Sequence, residues 1–302
     1  MPGSPRTNPQ QSTYHSLQAS LTRRFPKGLQ FLVSYTFGKS IDNGSGAGGG
    51  AGTGGIVNPQ APNDTGVVFG NQLDNRANRG VSDFDRNHRL VFSYLWDLPQ
   101  APFVSGPRPA RLLLSGWQAS GIVTAMSGLP VDVVDQLAAS FYGLNNGFGR
   151  PNFVSGADCA TVTSNIPDGF FFNPYAFARA TVTAGQPIPS SGGTAVADAP
   201  GTDFGTVGRN VLRGPRQVNV DFGLARRFRV RESKGIELRV ELFNLINHVN
   251  LANPMSDFNG IDSSGGKIDP TTGRVVNPGS FGRIISTSSN SRIVQLALKV
   301  SF

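Results

Sequence analysis

The sequence predicts an all-β fold of about seven long antiparallel strands, joined alternately by short turns and by very long loops. The 302 residues include 38 glycines, 21 prolines and 21 phenylalanines, while charged residues make up only 15% of the chain. A helical bundle or coiled coil would be richer in alanine, leucine, glutamate and lysine. The single cysteine, Cys159, excludes a disulfide scaffold. Composition therefore favours a β-rich chain with long glycine- and proline-containing connections.

Residues 12–25 and 29–40 are predicted to pair as a hairpin around a tight turn at residues 26–28. In both segments every second residue is apolar, which is the pattern of a strand with one apolar face. The apolar positions are Leu17, Ala19, Leu21 and Phe25 in the first segment, and Leu29, Phe31, Val33, Tyr35 and Phe37 in the second.

A long, polar, glycine-rich loop is predicted for residues 41–86, followed by strands at 87–97 and 111–127. Residues 112–131 carry no charge and are long enough for a membrane-spanning helix. Their alternation of apolar and polar residues instead favours a strand. The apolar face of the earlier strand consists of Leu90, Phe92, Tyr94 and Trp96.

Three further strands are predicted, at residues 216–231, 235–247 and 290–302, with long loops at 128–215 and 248–289. Each strand again has one apolar face. Those faces consist of Val218, Val220, Phe222, Leu224 and Phe228, then of Ile236, Leu238, Val240 and Leu242, and finally of Val294, Leu296, Leu298, Val300 and Phe302.

The alternation of short and long connections is typical of an outer-membrane β-barrel, in which turns are periplasmic and loops external. Phe25, Trp96 and Phe228 lie at the short-turn ends of strands, where interface aromatics belong. Arg23 and Arg226 fall on the apolar face, two residues before such an aromatic, where a long side chain can reach lipid headgroups. The alternatives are a register error of one residue and a soluble β-sandwich, although a seven-stranded sandwich needs only about 100 residues.

Several segments together resemble the barrel of TonB-dependent transporters of the Oar-like, carboxypeptidase-regulatory-domain type. The resemblance implies a 22-stranded barrel with an N-terminal plug, energised through TonB. We find no signal peptide, plug or TonB box, so we expect residues 1–302 to be the last third of such a barrel, strands sixteen to twenty-two. TonB would then act only through an upstream plug. The segments are residues 14–39, 82–99, 116–130, 205–221 and 237–251, with the C-terminal RIVQLALKVSF.

Two groups of residues are predicted to have roles in such a wall. Alternating residues at the C-terminus resemble the signal that the barrel-assembly machinery reads in outer-membrane proteins. Opposite charges on neighbouring strands are predicted to form a lumen-facing ladder, because they share one sheet face. The assembly signal is Val294, Leu296, Leu298, Val300 and Phe302, and the ladder is Arg227, Arg229, Glu237, Arg239 and Glu241.

We predict no enzyme activity and no catalytic, cofactor-binding or metal-binding residues. Asp83, Asp85 and Asn87 have the spacing of a calcium loop but lack its glycine and glutamate, so we expect them to hydrogen-bond at a strand entry. The net charge of +8 favours outer-membrane lipid as the partner rather than nucleic acid. The predicted function is transport across the outer membrane, and the alternative is a structural or adhesive surface barrel.

Overall fold

The computed structural model describes residues 11–43, 45, 78–99, 115–135, 149–182, 199–200, 205–229 and 235–301. Within them, seven long strands form one antiparallel sheet in which neighbours follow chain order. The predicted antiparallel β fold is therefore confirmed. The strands are β1 (Ser12–Arg24), β2 (Leu29–Asp42), β3 (His88–Asp97), β4 (Trp117–Met126), β5 (Gln217–Arg229), β6 (Gly235–Phe243) and β7 (Ile293–Ser301).

The strand ends differ from the predicted ones at several places. The largest difference is in β6, which ends at Phe243 rather than at residue 247, because Asn244 has a left-handed backbone with φ of 52°. Conversely, β2 continues to Asp42 because it also pairs with the short strand Gly80–Val81. Residues 111–114, 230–234 and Phe302 lie outside the described residues.

The cross-strand register joins the apolar residues of all seven strands into one continuous face, called here the apolar face. Ala19 lies opposite Tyr35, which in turn lies opposite Leu90. The same row continues through Ala125 to Val218. The opposite, polar face carries serine, threonine, glutamine and charged residues. The sheet therefore has the two-sided character that alternation predicts.

Successive strands are staggered along the sheet. A row of directly opposed residues begins at Arg23, next to the last residue of β1, and ends at Val294, the second residue of β7. Such a stagger is required of strands that tilt around a barrel. The intermediate members of the row are Phe31, Tyr94, Gly121, Phe222 and Leu242.

The two ends of the sheet differ in their connections. The end that contains the turn between β1 and β2 also contains the end of β3 and the start of β4, and is called here the turn end. The opposite end, where β2 continues into Gly80–Val81, is called the loop end. Among the described residues β1 pairs only with β2, and β7 only with β6, so the sheet is open.

The loops at the loop end contain a packed aromatic core where the sequence suggested only irregular structure. Phe172, Phe177 and Phe281 contact one another edge to face, with ring centroids 5.1 to 5.8 Å apart, and Phe258 packs against Phe281. These rings come from residues 128–215 and 248–289, so two of the long loops fold together. The core also contains Val131, Val133, Val162, Ala176, Val207, Leu212, Ile261, Ile268 and Val275.

Short elements hold this external core. Two single-turn helices, Cys159–Val162 and Gly260–Ser263, and the 3₁₀ turn Pro174–Ala176 are its helical parts in the described residues. None of the described helices is long and apolar enough to cross a membrane. The short strands are Pro130–Val131 with Leu212–Arg213, Asn152–Phe153 with Phe177–Ala178, Thr181–Val182 with Ala199–Pro200, and Lys267–Ile268 with Val275–Asn277.

Candidate membrane-spanning wall and external ion-pair network

Polar side chains bound the apolar face at two heights. In a barrel tilted by about 35°, positions of equal height shift by about one residue per strand. Trp96 lies two residues nearer the turn end than Tyr94, which is in the row of Arg23 two strands away. Phe222 of β5 is in the same row, four strands away from Arg23, and Arg226 lies four residues nearer the turn end than Phe222. In a barrel with this tilt, Arg23, Trp96 and Arg226 share one height.

The upper boundary of the band lies eight residues away. His15 on β1 and His88 on β3 each lie eight residues before Arg23 and Trp96, so they also share one height. Eight residues of a strand tilted by about 35° rise about 22 Å. The apolar side chains between these boundaries therefore form a band close to the 25 Å typical of outer-membrane barrels.

Each arginine on the apolar face stacks on aromatic rings at the turn end. The Arg23 guanidinium carbon lies 4.7 Å from the Phe25 ring centroid. That of Arg226 lies 4.4 Å from Phe228 and 5.8 Å from Trp117. Cation–π contacts of this kind accommodate a charge beside an apolar surface. The register confirms that both arginines belong to the apolar face, so the one-residue register error considered from the sequence is excluded.

The residues predicted as interface aromatics all lie at the turn end. Phe25 directly follows β1, and its amide donates a hydrogen bond to the Leu29 carbonyl across the turn. Trp96 lies opposite Leu29 and Ala119, and Phe228 lies opposite Ile236. Their contact with lipid headgroups stays a prediction.

The predicted charge ladder lies on the polar face of β5 and β6. Arg227 is directly opposite Glu237. Arg239 donates to Glu237 over 2.6 Å and lies 3.5 Å from Glu241. For Arg229 the structure describes only the backbone, which lies opposite Gly235. Sequence reasoning missed Lys299 of β7, which is opposite Glu237 and which the alternation of β7 places on this same face.

A shallow cavity of about 340 Å³ opens on the polar face across β3 to β6. Its polar lining includes Ser93, Ser120, Asp221 and Glu241. The Asp221 carboxylate accepts bonds from the Asn219 side chain and the Asn244 amide, at 2.8 and 2.9 Å. The polar face therefore offers hydrogen-bonding groups to water or solute at mid-wall.

At the loop end, Arg209 holds together segments that are distant in sequence. Its guanidinium donates to the Asp42 carboxylate over 2.8 Å and to Asp83 over 2.9 Å, and also to Ser45. The neighbouring Asn210 side chain bonds the Val81 carbonyl and Asp83. Only 4% of the Arg209 side chain and 7% of the Asp42 side chain is exposed, so this is a buried ion pair.

Arg213 makes a second set of bonds beside the first. It donates over 2.7 Å both to the Asp85 carboxylate and to the Asn87 side-chain oxygen. The other Asp85 oxygen accepts the Ser40 amide over 2.7 Å. The expectation that Asp83, Asp85 and Asn87 hydrogen-bond at a strand entry is therefore confirmed. Both Arg209 and Arg213 therefore bond carboxylates within the protein.

Two more arginine–aspartate pairs lie in the loops, and Arg86 is a further cation at the loop end. Arg150 donates two parallel hydrogen bonds of 3.0 Å to the Asp132 carboxylate. Arg179 donates to the carboxylate of the fully buried Asp135 over 3.1 Å. Arg86 donates to the Ser127 carbonyl and the Gln217 side chain. Burial, together with the positive charges of Arg89 and Arg213, lowers the pKa of Arg86.

Comparison with known protein families shows which family the chain belongs to. A family described as "Outer membrane beta barrel domain" matches residues 4–295, nearly the whole chain. The chain belongs to this family. Outer-membrane localisation follows from that membership. No curated protein and no solved structure matches the chain. Families of this kind are typically not enzymatic.

After β6, asparagine side chains hydrogen-bond to the backbone at the loop end of the sheet. Asn250 imitates a strand residue, because its amide accepts from the Val218 amide and donates to the Val218 carbonyl, both over 2.8 Å. Asn244 accepts from the His248 amide and donates to two carbonyl groups. These bonds continue the hydrogen bonding of β5 beyond the end of its partner strand. They give Asn244 and Asn250 of the segment NLINHVN a structural role.

The residues predicted as an assembly signal lie on the outer strand of the barrel sheet. Val294, Leu296, Leu298 and Val300 point to the apolar face and are each more than half exposed. Phe302 lies outside the described residues. Recognition by the barrel-assembly machinery stays a prediction.

Proposed function

We propose that this chain forms part of the wall of a TonB-dependent outer-membrane transporter of the Oar-like type. The observation that carries the proposal is the continuous apolar face backed by a polar, charged face. In a barrel with strands tilted by about 35°, its eight-residue band is about 22 Å high. A wall of this kind separates lipid from an aqueous lumen through which a solute passes. Arg227, Glu237, Arg239 and Glu241 would then line that lumen.

The location of the resembling segments supports the transporter type. Asp83 and Asp85, from the segment 82–99, bond Arg209 and Arg213 from the segment 205–221. Asn250, from the segment 237–251, bonds Val218. Three of the segments on which the resemblance rests thus meet at the loop end of one sheet, as parts of a single structural unit would.

In this proposal the chain supplies wall, lumen lining and external loops, and no chemistry. Energy would reach the transporter through TonB and a plug upstream of Met1. The substrate would be selected by the plug and the external loops. The polar face between β3 and β6 contributes the hydrogen-bonding groups of Ser93, Ser120 and Asp221 to the passage.

The proposal is tested on the native cells. An antibody against the β7 region detects the product in separated outer membranes, and mass spectrometry determines its N-terminal peptides. Solubilised outer membranes are then passed over immobilised periplasmic domain of TonB. The matched control is the 302-residue chain itself, produced from Met1 and presented to the same support.

We expect a band several times larger than 32.0 kDa, with peptides that precede Met1 and with retention on the TonB support. The 302-residue chain should not be retained, because in this proposal the plug is supplied from upstream of Met1. A native band of 32 kDa in the outer membrane would contradict the proposal, and so would a larger product that TonB does not retain.

A further inference from the structure

A small polar cavity lies at the loop end of the polar face, between β4, β5 and the chain that follows β6. Its volume is about 110 Å³. Pockets that enclose a whole small ligand measure about 300 Å³ or more, so this cavity has room for one part of a solute. Among the described residues, no charged side chain lines it. Hydroxyl and amide groups dominate the lining, from Thr124, Gln217, Asn219, Asn250, Ser288 and Ser289.

Two of the lining amides retain hydrogen-bonding capacity. The Gln217 amide donates one N–H to the Ser288 hydroxyl over 3.1 Å. The Asn219 amide donates one N–H to the Asp221 carboxylate over 2.8 Å. A primary amide has two N–H donors, so each amide keeps one that no described residue accepts. The cavity can therefore donate hydrogen bonds to the oxygen atoms of a solute.

Two arginines border this cavity. Arg86 donates to the side-chain oxygen of Gln217 over 3.0 Å and to the Ser127 carbonyl over 2.7 Å. Arg89 lies directly opposite Met126, which lines the cavity, and the alternation of β3 places Arg89 on the polar face. In the part of the chain that the structure describes, neither arginine forms a salt bridge with a carboxylate.

The positive charges at this corner of the sheet are only partly balanced. Arg213 is paired with Asp85 over 2.7 Å, whereas Arg86 and Arg89 have no such partner among the described residues. Arg86 is half-buried, and its pKa is lowered by burial and then by the charges of Arg89 and Arg213. An anion placed between Arg86 and Arg89 would offset this repulsion.

The donors and charges of the two arginines favour one kind of anion. Arg86 uses two of its five N–H donors within the described protein, so three remain. A phosphate monoester carries about −1.5 to −2 charges at pH 7 and has three strong acceptor oxygens. A carboxylate brings one negative charge and two oxygens. Two arginines without counterions therefore match a phosphate monoester better than a carboxylate.

We propose that the cavity and its two arginines form a binding subsite for the phosphate monoester of a hydroxylated solute, such as a sugar phosphate. Arg86 and Arg89 bind the phosphate oxygens, while Gln217, Asn219 and the neighbouring hydroxyls bind the hydroxyl groups of the solute. The polar face is turned away from lipid, so the phosphate belongs to a solute and not to a lipid headgroup. The inference rests on the proposed function for the passage of that solute, but binding itself requires neither TonB nor a plug.

Calorimetric titration of the native gene product tests the subsite. The product is purified in detergent from outer membranes with the antibody against the β7 region, and glucose 6-phosphate is the probe. Glucose, gluconate and inorganic phosphate are compared at the same ionic strength. The variants Arg86→Met and Arg89→Gln are introduced into the native gene. The matched control is Arg24→Gln, because Arg24 is an exposed arginine of the polar face at the turn end.

We expect glucose 6-phosphate to bind more tightly than the other three probes. Arg86→Met and Arg89→Gln should each weaken its binding by about tenfold or more, because each removes hydrogen bonds to a charged group. Arg24→Gln should leave the affinity unchanged. If Arg86→Met does not fold, Arg89→Gln decides, since the exposed Arg89 side chain bonds no described residue.

Three results would overturn the inference: absence of glucose 6-phosphate binding, binding of any other probe that is equally tight, or equal weakening by Arg24→Gln and Arg89→Gln. The outcome is separate from that of the TonB experiment. A product that binds glucose 6-phosphate through Arg89 but is not retained by TonB would refute the proposed transporter and support the subsite.

Discussion

Replacement of Arg209 by methionine tests whether the external network holds the loops on the wall. Methionine keeps much of the side-chain length but removes the guanidinium that bonds Asp42 and Asp83. Those carboxylates are 7% and 15% exposed, and both would lose their cation. We expect the substitution to separate three segments: the loop end of β2, the start of the 78–87 segment, and residues 205–213.

The expected loss follows from the burial of the pair. Removing one partner of a buried ion pair costs about 3–5 kcal/mol, because a charge is left without a counterion. Arg239→Met is the matched control, since Arg239 also bridges two carboxylates, those of Glu237 and Glu241. The Arg239 side chain is 49% exposed, so its loss should cost under about 1 kcal/mol.

Amide hydrogen exchange of the folded protein, followed by mass spectrometry, measures this difference locally. A loss of about 3–5 kcal/mol corresponds to exchange faster by about a hundredfold to a few thousandfold. We expect that acceleration in peptides covering residues 78–87 and 205–213 of Arg209→Met, with less than about tenfold change in the ladder peptides of Arg239→Met. Equal exchange at 78–87 in parent and Arg209→Met would refute the view that Arg209 holds these segments together.

Three further predictions concern other parts of the chain. Gly121→Ala should lower the free energy of unfolding in urea by about 1–3 kcal/mol, because the added Cβ would lie 2.6 Å from the Tyr94 ring. Gly223→Ala is the control and should lower it less, because its Cβ would meet the Ser120 hydroxyl, which can rotate away. Hydrogen bonds from the amide and hydroxyl of Thr161 lower the pKa of Asp158. The Thr161 amide should therefore exchange hydrogen more slowly in the parent protein than in Asp158→Ala. This protection should be full above a pH of about 3.9, the pKa of the unfolded carboxyl group, and should vanish as the pH falls through the lower pKa of the folded state. Protection that persists at pH 1 would contradict this assignment. Deletion of Phe302 should reduce the fraction of the protein in the outer membrane that is folded, measured as heat-modifiable mobility on gels, whereas Ser301→Ala should leave this fraction unchanged. If the two variants assemble equally well, the predicted C-terminal assembly signal is refuted.

The sheet was predictable because each strand carries its own signal. Alternation along residues such as Leu17, Ala19 and Leu21 depends only on neighbours two positions apart, and so does the choice of face. Arg23 and Arg226 seemed to break that pattern, yet both lie on the apolar face, where each guanidinium stacks on an aromatic ring two residues further along the chain, Phe25 or Phe228. A local rule was sufficient, and the apparent exceptions obeyed it as well.

The external network was not predictable in the same way. Arg209 and Asp83 are 126 residues apart, and no periodicity connects them. The rings of Phe172 and Phe281 meet from different loops, in stretches where the sequence shows only turn residues and isolated aromatics. What local pattern did indicate was the polar cluster Asp83, Asp85 and Asn87, but not its partners. Partner choice between loops depends on the shape of the folded chain and cannot be obtained from spacing.

The height of the apolar band, rather than its apolarity, distinguishes a membrane wall from a soluble sandwich. A sandwich also has strands with one apolar face, and its apolar residues need only reach as far as the opposing sheet covers them. Here the polar boundaries, His15 and His88 above and Arg23 and Arg226 below, shift by one residue per strand from the row of directly opposed residues. A second sheet has no reason to impose boundaries that shift by one residue per strand, whereas a planar bilayer around tilted strands does.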